Sequence, residues 1–125
     1  MEYSATLMDH FRHPRNAGMM RAPDGVGEGE YEQCMDLARF YLRVRNGRVE
    51  EARFQAYGCG PTLAACSAAT EVAAGIALEE LVEIGEARIE DAVGGLPAER
   101  RHAATVVARA LQAAARDAMT RREVH

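Results

Sequence analysis

Lysine and tryptophan are absent from this chain of 125 residues, and aromatic side chains amount to only 6%. Because all 15 basic residues are arginines, no side-chain amine is available to form a Schiff base with a carbonyl substrate. No apolar run approaches the roughly 20 residues of a membrane span. These absences exclude covalent catalysis by lysine and predict no membrane-spanning helix.

The charge balance and the cysteines narrow the function further. With 19 acidic residues against 15 basic ones we expect no nucleic-acid partner, because phosphate binding needs a net basic face. The first residues, Met1–Ser4, carry neither a basic nor an apolar segment, which predicts no secretory signal, no membrane association and a cytoplasmic location. In that compartment, three cysteines, an odd number, are expected to be reduced ligands or nucleophiles.

The length and the composition predict a single domain over residues 1–125. Apolar residues make up 48% of the chain, so a buried core is expected, yet much of that fraction is alanine. Alanine-rich helices that pack closely on a small sheet would suit this composition.

The amino-terminal half predicts one helix and a short antiparallel sheet. A helix that ends before Pro14 is indicated by apolar residues at helical spacing: Tyr3, Leu7, Met8 and Phe11. Glycines and prolines in residues 17–30 predict a loop that leads to an edge strand. Alternating apolar residues predict a strand over 34–44, Asn46-Gly47 predicts a type I′ turn, and a return strand follows over 48–57.

The carboxy-terminal half predicts helices only. One begins at Pro61 and continues to Gly75, and two short ones follow over residues 78–84 and 87–93. After a break at 94–97 comes a long terminal helix, whose buried stripe comprises Ala103, Val106, Val107, Ala110, Leu111 and Ala114. Strands and helices are grouped separately, so the predicted class is α+β, a short three-stranded antiparallel sheet with helices on one face.

Four residues are candidates for a metal site: Cys34, Asp36, Cys59 and His102. Cys34 and Asp36 are two residues apart on the predicted strand, which would place both side chains on one face. Cys59 stands between two glycines ahead of a helix, whose positive end favours the thiolate. The start of the terminal helix likewise disfavours a charged imidazole at His102, which leaves the ring able to ligate. Unrelated structural roles for the four residues remain the alternative.

Seven segments, taken in order, are similar to those of a known family. They are Tyr3-Ser4, Asp9-His10-Phe11, Pro14-Arg15-Asn16-Ala17-Gly18, Cys34-Met35-Asp36, Phe54-Gln55-Ala56-Tyr57-Gly58-Cys59-Gly60, Thr70-Glu71 and Leu96-Pro97-Ala98-Glu99-Arg100-Arg101-His102-Ala103. Together they cover nearly the whole chain and resemble the NifU/IscU family of iron–sulfur cluster assembly scaffolds. The resemblance implies a non-enzymatic carrier, a monomer or weak homo-oligomer, that assembles a [2Fe–2S] cluster and passes it to acceptor proteins.

The resemblance also implies the ligands and the partners. Carried over by position, the cluster ligands would be Cys34, Asp36, Cys59 and His102, and the same residues would bind zinc. Sulfur would come from a cysteine desulfurase, and iron–sulfur acceptor proteins would receive the cluster. Soft thiolates with an imidazole suit iron and zinc, and one oxygen ligand would ease release.

Three departures from the family pattern affect these expectations. Ala103 stands where the family has a third cysteine that receives sulfur, and Met35 replaces a glycine. The family's chaperone-docking segment retains two of its five residues in Leu96–Arg100, which makes chaperone docking doubtful. Cys66 lies on the same predicted helix as Cys59 but about 10 Å further along, so we expect it to pack in the core, with a sulfur relay as the alternative.

Two other functions stay open on the sequence alone. The loss of the third cysteine at Ala103 would suit a paralogue that docks a desulfurase or another scaffold as a regulator, without assembling clusters. A sulfur transferase would use Cys59 as the nucleophile and His102 as the proton carrier.

Overall fold

A computed structural model describes residues 3–124 of the chain, without the side chains of Cys34, Glu123 and Val124. It contains three strands, five α-helices and two short 3₁₀ turns in this described part. Their bounds are α1 Ala5–Arg12, β1 Gly25–Tyr31, β2 Asp36–Arg45, β3 Arg48–Tyr57, α2 Gly60–Ala73, α3 Leu78–Leu81, α4 Glu86–Ala92 and α5 His102–Val124, with 3₁₀ turns at Glu32–Cys34 and Ala98–Arg100.

The three strands form one antiparallel sheet in the order β1-β2-β3, which confirms the α+β prediction. Helix α5 packs on β1 and β2, and α2 packs on β3. The covered face carries Phe40, Leu42 and Phe54, which are at most 2% exposed. These side chains and the alanines of α2 and α5 form one continuous apolar core.

The predicted loop over residues 17–30 is wrong in its second half, because β1 begins at Gly25. The glycines of β1 alternate along the strand and face α5. A Cβ atom on Gly27 would lie 2.1 Å from the backbone nitrogen of Ala114, so only glycine lets the helix come this close. The period-two spacing of Gly25, Gly27 and Gly29 was the signal of a strand, although glycine by itself favours a loop.

The hairpin between β2 and β3 agrees with the sequence prediction. Asn46 and Gly47 have φ angles of 54° and 76°, and a type I′ turn requires positive φ at both central positions. The return strand has the predicted bounds, Arg48–Tyr57, and the pairing shifts register between Arg43 and Val44.

The predicted start of β2 at Cys34 is wrong. Cys34 ends a 3₁₀ turn, Met35 adopts the left-handed conformation, and the strand begins at Asp36. Cys34 and Asp36 therefore do not share a strand face, and the expectation built on that periodicity fails. The chain needs residues 32–35 to turn from β1 into β2, since Tyr31 and Asp36 already pair across the two strands.

The helices lie close to their predicted positions. Helix α1 begins after Ser4, whose hydroxyl accepts a hydrogen bond of 2.9 Å from the Leu7 backbone nitrogen. Helices α2, α3 and α4 end between one and three residues before the predicted bounds. The predicted stripe of α5 is buried throughout, at 1% exposure or less. Within the described chain, no helix combines the length and the apolar character that crossing a membrane requires.

Candidate metal centre

Three of the four predicted ligands meet where β2, α2 and α5 begin. Asp36 is the first residue of β2, Cys59 directly precedes α2, and His102 is the first residue of α5. One ligand atom from each lies within 4.8 Å of the other two. The side chain of Cys34, the fourth predicted ligand, lies outside the described residues. The fold therefore brings Asp36, Cys59 and His102 together, although 66 residues separate the first from the last.

Asp36 is the centre of this group. Its side chain is 1% exposed, and both carboxylate oxygens have partners. Oδ2 lies 2.7 Å from His102 Nε2 and 4.0 Å from Cys59 Sγ, while Oδ1 accepts a hydrogen bond of 3.1 Å from the Cys59 backbone nitrogen. A buried carboxylate needs such partners, because leaving it unpaired would cost several kcal/mol.

Gly58 makes this approach possible. Its φ angle is 144°, a value that residues other than glycine rarely adopt. A Cβ atom at this position would lie 2.0 Å from Asp36 Oδ1. Gly60, the glycine on the other side of Cys59, instead lies against the ring of Phe11. A Cβ atom on Gly60 would lie 3.1 Å from Phe11 Cε1. The two glycines therefore serve different contacts, and only Gly58 makes room for the site.

Cys59 is held by the start of α2. Its carbonyl oxygen accepts hydrogen bonds from Thr62 and Leu63, and Pro61 occupies the first turn, where no backbone donor is needed. Its sulfur is partly buried and lies 3.3 Å from the hydroxyl of Thr62. The thiol therefore points between Asp36 and Thr62 at the amino-terminal end of α2.

His102 is fixed by a ring contact as well as by Asp36. The ring of Tyr31 stacks on it, with centroids 4.7 Å apart and planes at 21°. The Tyr31 hydroxyl in turn donates to Gln33 Oε1 over 2.7 Å. Since the His102 side chain is only 13% exposed, its ring is held in one orientation with Nε2 toward the site.

Met35, at the position where the resembled family is expected to have a glycine, adopts a backbone conformation that favours glycine. Its φ angle of 57° and ψ angle of 28° lie in the left-handed region, which costs roughly 1–2 kcal/mol for residues with a Cβ atom. Its side chain is 81% exposed, so its bulk extends into solvent beside Asp36. The substitution strains the backbone without filling the site.

The residues present fit a metal ion. A carboxylate, a thiol and an imidazole are donor types found together in tetrahedral zinc sites and at iron–sulfur clusters. Atoms bound to one zinc lie roughly 3–4 Å apart, given bonds of about 2.0–2.3 Å, so the observed spread closes with small side-chain movements. Ligands bind metal in their deprotonated forms, so an entering ion would replace the proton between Asp36 and His102.

The remaining cysteine and the position of the missing one both belong to the core. Cys66 is fully buried, and this burial raises the pKa of its thiol far above the ordinary range. This location agrees with the expected packing role, since an inert neutral thiol cannot relay sulfur. Ala103 is also fully buried.

Side chains of His10, Arg15 and Asn16 hold α2, the helix that Cys59 precedes, in its position. His10 Nδ1 lies 2.8 Å from Ser67 Oγ and 3.1 Å from Arg15 Nη1. Because arginine only donates, Nδ1 accepts and the ring proton sits on Nε2, 3.4 Å from Glu71 Oε1. Burial, with the charge of Arg15, lowers the pKa of His10. Asn16 donates to the hydroxyl of Thr70, so these residues hold α1 and its loop against α2.

Sequence reasoning missed two contacts of the site, those of Thr62 and Tyr31. Thr62 follows Cys59 by three residues, the spacing at which a residue before a helix meets the first turn, so a local signal existed. Tyr31 reaches His102 only through the packing of β1 against α5, which no local pattern shows.

Comparison with known proteins identifies the family and the fold of the chain. The NifU-like N terminal domain family matches residues 2–124. The iron-sulfur cluster assembly scaffold protein IscU 1 of Archaeoglobus fulgidus is 39% identical over 112 residues, which are 90% of this chain and 73% of that protein. The scaffold protein IscU of Azotobacter vinelandii is 36% identical over 121 residues, 94% of each chain.

A solved structure shows the same fold at lower identity. The amino-terminal part of a nitrogen-fixing NifU-like protein from Brucella abortus superposes with a TM-score of 0.74 at 16% identity, over 94% of both chains. With the family match over nearly every residue and relatives above 30% identity, this chain belongs to the NifU-like N terminal domain family.

Proposed function

We propose that this protein is an iron–sulfur cluster assembly scaffold, a carrier rather than an enzyme, whose cargo is bound by Asp36, Cys59 and His102 together with Cys34. The observation that carries the proposal is the convergence of three ligand types at one point of the fold. Two relatives that are 36% and 39% identical to this chain, over at least 90% of its length, are named as iron–sulfur cluster assembly scaffolds. The proposed unit is one domain over residues 1–125, which the single core supports.

The proposed cargo is a [2Fe–2S] cluster, with zinc as an alternative occupant of the same ligands. Two thiolates and an imidazole suit both, and Asp36 would supply an oxygen ligand that binds soft metals more weakly. A weak ligand at a buried position makes release easier, which a carrier needs. The proposed donor of sulfur is a cysteine desulfurase, and iron–sulfur acceptor proteins in the cytoplasm would receive the cluster.

The geometry weighs against a sulfur transferase. Among the described residues, the hydrogen-bond partners of the Cys59 sulfur are Asp36 Oδ2 and Thr62 Oγ1, while His102 Nε2 bonds to Asp36. The histidine is therefore paired with the carboxylate and not with the thiol that it would activate. A regulator that docks a desulfurase without building clusters would keep the same fold, so only an assembly assay distinguishes it from a scaffold.

Anaerobic assembly tests the proposal. The protein would be incubated with ferrous iron, cysteine, a cysteine desulfurase and dithiothreitol, which supplies the electrons that reduce the delivered sulfur to sulfide. Absorption spectra, iron and sulfide analysis, and transfer to an apo-ferredoxin would follow. We expect one cluster with two irons and two sulfides, and its appearance in the acceptor. A protein that stays colourless with the desulfurase but slows that enzyme would be the regulator, and the scaffold proposal would fail.

A further inference from the structure

The hydroxyl of Thr62 is buried against the Cys59 sulfur. Thr62 is 0% exposed, and its Oγ1 lies 3.3 Å from Cys59 Sγ. Among the described residues, this sulfur is its only hydrogen-bond partner. A buried hydroxyl without a partner costs free energy, so the contact with sulfur accounts for the polar group at this position.

Backbone geometry fixes the contact. Cys59 precedes α2 and Thr62 lies in its first turn, where the Thr62 backbone nitrogen donates to the Cys59 carbonyl over 3.1 Å. This bond holds the two residues together, and the branched threonine side chain has few rotamers in a helix. The hydroxyl is therefore aimed at the sulfur before any ligand arrives.

The direction of the hydrogen bond follows from the chemistry of the sulfur. In the free thiol either atom can donate. A sulfur that binds metal is a thiolate without a proton, so the threonine hydroxyl must then be the donor. Donation to a ligand sulfur removes electron density from it and orients it, as partners of metal ligands do in other sites.

We propose that Thr62 is a positioning residue of the metal centre, which donates a hydrogen bond to the metal-bound sulfur of Cys59 and tunes the metal–sulfur bond. This inference rests on the proposed function, because it requires metal at Cys59. On the other side of the centre, the ring of Tyr31 stacks on His102, so the imidazole also has support from a side chain that is not a ligand.

Cobalt(II) titration tests this proposal, because the sulfur-to-cobalt charge-transfer band reports on the thiolate ligands, and Cys59 is the one whose sulfur Thr62 contacts. Thr62→Val keeps the shape and removes the hydroxyl. We expect its affinity for cobalt to fall about tenfold or more, and the band to move to longer wavelength. The melting temperature of the metal-free protein should stay equal or rise, because the valine buries no polar group.

Two further variants separate the hydroxyl from packing. Thr62→Ser and Thr62→Ala both lack the threonine methyl group and differ by the hydroxyl alone, so they serve even where Thr62→Val does not fold. We expect the serine variant to retain the wild-type band and the alanine variant to show the shifted one. Identical bands and affinities in all variants, with changes in stability alone, would show a packing residue and overturn the inference. If the wild-type protein binds no cobalt, the proposed metal centre fails first and the inference fails with it.

Discussion

His102 Nε2 lies 2.7 Å from Asp36 Oδ2, so the first residue of α5 is joined to the first residue of β2 across 66 residues of sequence. Asp36 is 1% exposed, and the pair is therefore shielded from water. In the metal-free protein this bond clamps the helix to the sheet. Asp36 and His102, which would bind the metal, thus also join the start of α5 to the start of β2 in the metal-free protein.

Replacing Asp36 should cost stability as well as metal affinity. Asp36→Ala leaves His102 Nε2 and the Cys59 backbone nitrogen without their acceptor, and we expect the free energy of unfolding to fall by about 1–3 kcal/mol. Asp36→Asn keeps an acceptor and should lose less. Both should bind zinc more weakly, because an amide is a poorer ligand than a carboxylate.

Urea denaturation of the metal-free variants and zinc competition would measure the two effects. Wild-type stability in Asp36→Ala would contradict the role of the buried hydrogen bonds. Wild-type zinc affinity in both variants would remove Asp36 from the ligand set.

Gly58→Ala should disrupt the site more than an alanine at another glycine with positive φ. Its Cβ atom would lie 2.0 Å from Asp36 Oδ1, whereas Gly95, with φ of 99°, has open space around it. Gly95→Ala should cost roughly 1–2 kcal/mol of backbone strain alone. Gly58→Ala should cost more and weaken zinc binding. Equal losses of stability in the two variants, with zinc affinity intact, would show that Asp36 does not depend on Gly58.

Cys66→Ser should retain metal and lose stability. The side chain is fully buried in the apolar core, and a hydroxyl there without a partner should cost about 1–3 kcal/mol. Thermal unfolding and metal analysis of the same sample check both parts. A folded variant without metal would place Cys66 in the site instead.

Stability should fall as the pH drops, through His10. Burial and Arg15 lower its pKa in the folded state, so the unfolded chain takes up the proton first. The stabilisation is therefore complete above the ordinary pKa of about 6.5 and is lost as the pH falls through the folded pKa. His10→Asn, which keeps an acceptor near Nδ1, should flatten this slope between pH 7 and pH 5.

The exposed His13 provides the control for that experiment, because it lies outside the network of Ser67 and Arg15. Denaturation across the pH range should show the wild-type slope in His13→Asn. A wild-type slope in His10→Asn as well would assign the pH dependence to other groups.

Much of the fold was readable because its signals are local. Asn46-Gly47 specifies its own turn, and the apolar stripe of α5 recurs at helical spacing. Glycine misled the prediction over residues 25–30, because its reason there is the approach of α5 from a distant part of the chain. The start of β2 was misplaced because methionine is not a residue type that indicates the left-handed backbone conformation found at Met35.

The candidate site was predictable in its residue types but not in its hydrogen bonds. Cysteine, aspartate and histidine at helix and strand ends indicated ligands, and the structure brings three of the four together. That Asp36 would bond to His102, and that Gly58 rather than Gly60 would make room for it, depends on tertiary packing. The proposed donor, Thr62, required the position of the Cys59 sulfur.

Metal content after anaerobic reconstitution tests the central claim most directly. Wild-type protein, Cys59→Ala and Cys66→Ala would be loaded with ferric iron and sulfide and, separately, with zinc, then desalted and analysed for iron, sulfide and zinc. Each variant removes one thiol, but only Cys59 lies beside Asp36 and His102. We predict full loading in wild type and Cys66→Ala, and loss of the cluster and of most zinc in Cys59→Ala. Full loading in Cys59→Ala would contradict the shared metal centre at Asp36, Cys59 and His102.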